Sequence, residues 1–364
     1  MTSPCPPHTA AYRDLSRIFS NRNGRVLEIE ILPPAFGPFL EDGCSIGVTK
    51  KYLVQAFVTA RKVFFDALKD SGYNGSPSLP DLTGQLAVSD ESDKTIAIAT
   101  EVILLFDCEH LTACNWRKRR LTALANSSQE QFAQALNTEL SLMTTYLCSP
   151  LHRHTKSPTL WQHRRWIQTH LIHLRKPDFQ TAQDLLETEL SAALRAGELH
   201  PRNYYAFSYM RQIHHVLSDA GGAEKQDWGA RLGQAIMPSM LDWCLAHPTD
   251  ISGLMFLLYL LDAVSAAAFQ IDTIGRVARF ALDIGWEGES LWTFVDLAVR
   301  RFKVVASVDG LQTYPWDILL VSSSPDQHSH DSRKTSPCWK TWLERAQIHW
   351  AHTQQSTNNP PQLT

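Results

Sequence analysis

A chain of 364 residues is long enough for a large core or an extended array, and its 44% apolar and 20% charged content is ordinary for a soluble protein. The formal net charge of -3 argues against a nucleic-acid binder, whose balance is usually strongly basic. No run reaches the roughly 18 apolar residues of a membrane span, and seven scattered cysteines without a Cys-x-x-Cys pair read as reduced thiols in the cytoplasm.

Residues 1–10 hold no apolar run, so neither a signal peptide nor a folded element is expected there. A short helix is predicted over Tyr12–Phe19. Val26–Leu32 is apolar enough for an extended segment that stops at Pro33-Pro34, with no evident partner. From Thr49 to Leu68 the apolar positions Leu53, Ala56, Phe57, Ala60, Val63, Phe64 and Ala67 follow helical spacing. Ser71–Asp93, rich in Gly, Ser, Pro and Asp, reads as a flexible loop.

Helical patterns then alternate in pairs: Asp93–Phe106 with Thr112–Ala125, Gln129–Tyr146 with Pro158–Leu174, and Asp178–Arg195 with Pro201–Leu217. Asp227–Ala246 with Ile251–Phe269, and Thr273–Ile284 with Glu289–Val304, complete the series. Breaks at Ser149-Pro150, Gly197, Gly221-Gly222, His247-Pro248 and Gly285 carry helix-ending chemistry. Ser322–Ser336 is a second polar loop, and Cys338–Trp350 is placed to form a capping helix before a polar tail. The division is a 1–48 extension, partly irregular, a helix and loop over 49–92, five helical hairpins over 93–306, and a 307–364 loop, helix and tail.

The second helix of each pair carries a recurring anchor: Cys114, Trp161, Phe207, Leu254 and Trp292, at intervals of 47, 46, 47 and 38 residues. Such periods belong to helical-repeat arrays, in which each unit buries its apolar face against its neighbours. Arg117 and Arg164 stand three residues after their anchors and Arg211 four after Phe207, with Asn115 beside Cys114 and Asn203 four before Phe207. Trp161 and Trp292 are expected to fill the gaps between hairpins. Arg164 is expected to bond helix-end carbonyls or a carboxylate of an adjacent hairpin, and Asn203 to cap or bridge a turn.

Asn203-Tyr-x-Ala-Phe207 and Trp161-Gln-His-Arg164-Arg165-Trp166 resemble the Asn-x-x-x-Trp-x-x-Arg repeat of protein prenyltransferase alpha subunits. The resemblance covers roughly residues 93–304. The long period and the degenerate copy at Leu254 are closer to the divergent "prenyltransferase alpha subunit repeat-containing" branch. It implies an all-α, right-handed alpha-alpha superhelix, a crescent of stacked hairpins around a separate beta subunit that carries the zinc and the isoprenoid tunnel. No cofactor or metal is then expected in this chain. It further implies transfer of a geranylgeranyl or farnesyl group from its diphosphate to a cysteine near the C-terminus of a protein substrate.

In that family a lysine just before the motif Asn and a tyrosine just after it point at the isoprenoid diphosphate. The corresponding positions here are Lys156 and Pro158 around Ser157 in one repeat, and Arg202 and Tyr204 around Asn203 in the next. A fixed cation there stabilises the charge that builds on the departing diphosphate. On residue type alone, Lys156 reads first as an exposed lysine at a helix start with no role.

The run Arg117–Arg120 reads first as a solvated helix face with anchor Arg117 partly buried, and second as a patch for a polyphosphate or an acidic partner. His152/His154 and His170/His173 lack a Cys or carboxylate at ligand spacing. No phosphate loop or nucleophile elbow is present, so the chain is not expected to be active alone. The alternative from another class is a catalytically inactive repeat adaptor for protein partners, favoured by Cys114, Leu254 and Pro158. An RNA reader is disfavoured by the acidity.

Overall fold

The computed structural model describes residues 8–70, 90–125, 128–151, 153–221, 227–302 and 338–358. The expected loops over 71–89 and 322–336, and the last six residues of the tail, lie outside the described residues. The fold is all-α and built of consecutive helical pairs, with one small sheet near its start. The chain divides into two compact units, 1–177 with 191–216, and 178–190 with 217–364.

The first unit begins with α1 (His8–Ser20) and a three-stranded sheet of β1 (Glu28–Leu32), β2 (Phe39–Asp42) and β3 (Ser45–Thr49). The strand order is β1-β3-β2, with β1 parallel to β3 and β2 antiparallel to it. The extended segment expected before Pro33 is therefore β1, and its partner is a strand the sequence reading did not find. Gly43-Cys44 makes the two-residue β2–β3 turn, where Gly43 holds φ 60° at no steric cost.

Helix α2 (Lys50–Asp70) packs on α1 and on α3 (Asp90–Phe106), which starts three residues before its expected onset. Then come α4 (Leu111–Ala125), α5 (Gln129–Cys148), α6 (Pro158–Arg175), α7 (Phe179–Leu199) and α8 (Tyr204–Ala220). Helix α5 packs against both α4 and α6. It also holds the free edge of β1: the Leu27 amide donates to Thr145 Oγ1 at 3.0 Å, and the Ile29 amide to Ser149 Oγ at 2.9 Å. Buried Arg22 donates to the Thr138 carbonyl at 3.1 Å, so the N-terminal segment is ordered by hydroxyls and a carbonyl of α5.

The second unit contains α9 (Trp228–Ala246), α10 (Ile251–Ala263), α11 (Ala267–Asp283), α12 (Glu289–Phe302) and α13 (Trp339–Asn358). Gly253 lets α10 approach α9 closely, since a Cβ there would stand 2.5 Å from the Trp243 ring. One expected helix is split. The pattern Ile251–Phe269 breaks at Val264, and α11 begins at Ala267 rather than Thr273. No glycine or proline marks the break. Gln270 Nε2 makes it by donating to the Leu261 and Val264 carbonyls at 3.0 and 2.6 Å, filling the acceptors a continuing helix would have used. Helix α13 lies on α12, with the Trp342 indole donating to Asp296 at 3.1 Å and the Trp350 indole to the Leu282 carbonyl at 2.8 Å. No helix of the described residues is long and apolar enough to cross a membrane.

Candidate functional site

The repeat reveals itself first as a cap. Four residues before each of the first four anchors stands a side chain that accepts a backbone N–H three residues ahead. His110 Nδ1 accepts from Ala113 at 3.2 Å, Ser157 Oγ from Leu160 at 3.1 Å, Asn203 Oδ1 from Ala206 at 3.2 Å, and Asp250 Oδ1 from Gly253 at 3.1 Å. The chemical types differ, but each satisfies a donor that the helix cannot. Pro158 follows at the first position of α6, where its missing N–H costs nothing.

All five anchors, Cys114, Trp161, Phe207, Leu254 and Trp292, are buried. Both tryptophans also spend their indole N–H in the same way, on the carbonyl six residues earlier: Trp161 on Thr155 at 2.8 Å, and Trp292 on Trp286 at 2.7 Å. A buried indole needs such a partner. Trp161 also lies against Tyr209 of α8, with ring centroids 5.0 Å apart.

The turns entering α6 and α8 are laced together. Asn203 Nδ2 donates to the Thr155 carbonyl at 2.7 Å, Thr155 Oγ1 bonds His200 Nδ1 at 2.7 Å, and Lys156 Nζ donates to the Pro201 carbonyl at 2.8 Å. These bonds hold Arg202 at φ 61°, a left-handed conformation that disfavours a residue with a Cβ by about 1–2 kcal/mol. Lys156 thereby reaches the turn that leads into Arg202 and Tyr204, and all three residues are exposed, Tyr204 by 56%. One of the three ammonium protons of Lys156 is used on Pro201, leaving two for a ligand. The position that matches the family tyrosine in the earlier repeat is Pro158 and offers no hydroxyl.

Arg117 is not on a solvated face. It is buried and forks onto Glu139 of α5, Nε to Oε1 at 2.7 Å and Nη2 to Oε2 at 2.5 Å. Its remaining donors reach Thr100 Oγ1 at 2.8 Å, the Ala97 carbonyl at 2.9 Å and Glu101 at 3.2 Å. His163 Nε2 meets Glu139 at 2.7 Å. Burial works against the Glu139 charge, but Arg117 and the His163 hydrogen bond outweigh it and hold this carboxyl well below the ordinary range. Burial instead dominates at Glu101, whose carboxyl is pushed up despite Arg117, and at His163, which is pushed down despite Glu139. Among the described residues His163 Nδ1 has no partner, and Nε2, facing the Glu139 carboxylate, is the nitrogen placed to donate.

Arg164, also buried, donates to Thr144 Oγ1 at 2.7 Å and faces the Tyr209 ring at 6.0 Å. Arg211 is half-buried and Asn115 exposed. Of the other cations in the Arg117–Arg120 run, Arg120 pairs with Asp93 at 2.5 Å. Of the histidines weighed for metal binding, His154 Nε2 bonds the Leu104 carbonyl at 3.0 Å and His170 Nδ1 the Trp166 carbonyl of its own helix at 2.8 Å, while His152 lies outside the described residues. Among the described residues no three His, Cys, Asp or Glu side chains are grouped to hold a metal ion.

Sequence reasoning missed Glu139, Thr155 and His200. Glu139 left a signal, since it occupies an apolar register of α5 between Leu136 and Met143. A charge at a core position calls for a buried partner. Thr155 and His200 left none, because their roles depend on two turns meeting.

Repeated helical pairs, a capped second helix and a buried aromatic or apolar anchor define the class as an all-α helical-repeat protein. Residues 186–216 match the family model described as "Protein prenyltransferase alpha subunit repeat", so this stretch is similar to a repeat of that family. The matched stretch holds the Asn203 cap and the Phe207 anchor. No curated protein matches the chain.

Proposed function

We propose that this chain is the alpha-type subunit of a cytoplasmic, heterodimeric protein prenyltransferase. With a beta subunit it assists transfer of a geranylgeranyl or farnesyl group from its diphosphate to a cysteine in the C-terminal region of a protein substrate. The observation that supports this reading is the bond from Lys156 Nζ to the Pro201 carbonyl in the matched repeat, one residue before Arg202 and three before Tyr204. Two cations and a phenol on one laced pair of turns suit a polyphosphate leaving group, whose charge grows in the transition state. On this reading zinc and the isoprenoid tunnel belong to the beta subunit, as the family resemblance implies.

A second reading has its own support. Lys156 is already bonded to Pro201 and Pro158 lacks a hydroxyl, as fits a repeat adaptor that binds protein partners without catalysis.

The two are separated by reconstitution with the beta subunits of the same cell. The chain alone is expected to be inactive and the pair active. Lys156→Ala is expected to keep the complex and lower turnover by the equivalent of about 2–4 kcal/mol, as for other preorganised electrostatic donors. Trp161→Ala is expected to cost about 3–5 kcal/mol of stability, as for truncation of other buried tryptophans. A bound Lys156→Ala variant that turns over like the parent removes the catalytic role. Inactivity with every beta subunit leaves the adaptor.

A further inference from the structure

Two surfaces of the first unit are opposite in charge and share an apolar centre. On α2, Val54 and Val58 are 37% and 56% exposed. They lie at helical spacing with half-buried Phe57 and Phe65 and exposed Arg61 and Lys62. Phe57, Val58, Arg61, Lys62 and Phe65 line an open groove of about 310 Å³. Arg61 stands over the Phe65 ring at 5.5 Å, so its charge faces this groove. No carboxylate of a described residue bridges Arg61 or Lys62.

The other surface is the outer face of the sheet. Leu32 and Leu40, the latter 50% exposed, form the floor of a cleft of about 500 Å³ rimmed by Glu28, Glu30, Glu41 and Asp42. Arg195 pairs with Glu28 at 3.3 Å and Arg17 with Glu41 at 2.5 Å, whereas Glu30 and Asp42 pair with no described residue. Two unbalanced carboxylates over exposed leucine on one face thus match two unbalanced cations over exposed valine on the other.

We propose that a second copy of this chain covers these surfaces, with α2 of one protomer seated on the sheet face of its partner. Like faces repel, so the contact joins unlike faces. Apolar burial supplies the attraction and the Arg61/Lys62 to Glu30/Asp42 pairing sets the register. The association is independent of prenyl transfer, and its absence leaves the transferase reading untouched.

Sedimentation velocity of the full chain over a concentration series tests it. The parent is expected to self-associate, and to do so less as salt rises from about 0.05 M to about 0.5 M and the screening length shortens. Arg61→Glu with Lys62→Glu is expected to abolish association, because both faces are then acidic. Glu30→Lys with Asp42→Lys does the same by making both basic. Mixing these two variants is expected to restore association between them, since each acidic face again meets a basic one. Should either pair of reversals fail to fold by circular dichroism, Lys62→Gln and Glu30→Gln serve instead, each with at least a threefold rise in dissociation constant. A parent that is monomeric throughout, reversals that associate like the parent, or a mixture that stays monomeric each overturns the proposal.

Discussion

The motif position three residues after the anchor changes character along the chain. In the first unit it holds Arg117 and Arg164, both buried and wired into α5, and then buried Met210 in the last repeat of that unit. In the second it holds Leu257 and Val295, both buried among apolar side chains. The cap four residues before the anchor survives in both, as Ser157 and Asn203 in one and Asp250 in the other. Capping solves a problem that every helix start has, whatever packs on it. A buried guanidinium solves nothing by itself and is tolerated only where carboxylates and carbonyls already await it.

That contrast is broken most directly at Arg117. Arg117→Met strands Glu139 and Glu101 in the core and is expected to cost about 3–5 kcal/mol, read as a shift in urea midpoint. Arg117→Met with Glu139→Leu is expected to recover a large share, because the uncompensated carboxylate next to the lost cation goes with it. If the double variant is no better than the single one, the pair acts through shape rather than charge.

Acid should also tell the regions apart. In the first unit burial pushes His154 down to about 4, against the pull of the Leu104 carbonyl. A histidine whose folded pKa lies below its unfolded value of about 6.5 leaves the unfolded state holding more protons. Its contribution is therefore complete above the unfolded value and is lost as pH falls from about 6.5 to about 4, on the order of 3 kcal/mol. His163 shifts in the same direction, and Glu139 adds a further loss below the ordinary carboxylate range. Raised Glu101 opposes them at the acid end. His154→Gln, which keeps a donor for Leu104 and does not titrate, is expected to flatten the melting temperature between pH 6.5 and 4. An unchanged pH profile in that variant places the acid sensitivity elsewhere.

The smallest test compares the caps. Asp250→Ala loses a cap and is expected to cost about 1 kcal/mol. Asn203→Ala loses the cap and also the bond to the Thr155 carbonyl, so about 2 kcal/mol is expected by thermal melting. Equal losses would mean that the lacing of the two turns carries no stability of its own.

Much of the helical array was legible because its signals are local. Helix starts at Gln129, Pro158, Ile251 and Glu289 fall where the pattern puts them, since a capping side chain, a proline or an acidic first turn acts within four residues. Hidden features had no local signature. Gln270 ends α10 from the first turn of the next helix, six to nine residues away, in a stretch whose hydropathy simply continues. Of the N-terminal strands, β1 was visible as an apolar run, but β3 was not, because Gly47 and Thr49 dilute its pattern. Gly43, at the first position of the Gly43-Cys44 turn, was a hairpin signal that the sequence reading missed.

At the candidate site the division is the same. Aligning the repeats on Trp161 and Phe207 put Lys156 and Arg202 at equivalent places ahead of two helix starts, and Pro158 and Tyr204 at equivalent places after them. Periodicity likewise determined which side chain of each repeat is buried, because 3.6 residues per turn assigns faces without reference to any neighbour. Only the tertiary structure decided that Arg117 is a core residue among carboxylates while Arg119, two positions on, is exposed, and that Lys156 reaches the carbonyl preceding Arg202. A charge carries no mark of its own burial. Its environment is made by helices 16 to 22 residues away for Arg117 and by a turn 45 residues away for Lys156, and those distances close only when the hairpins stack.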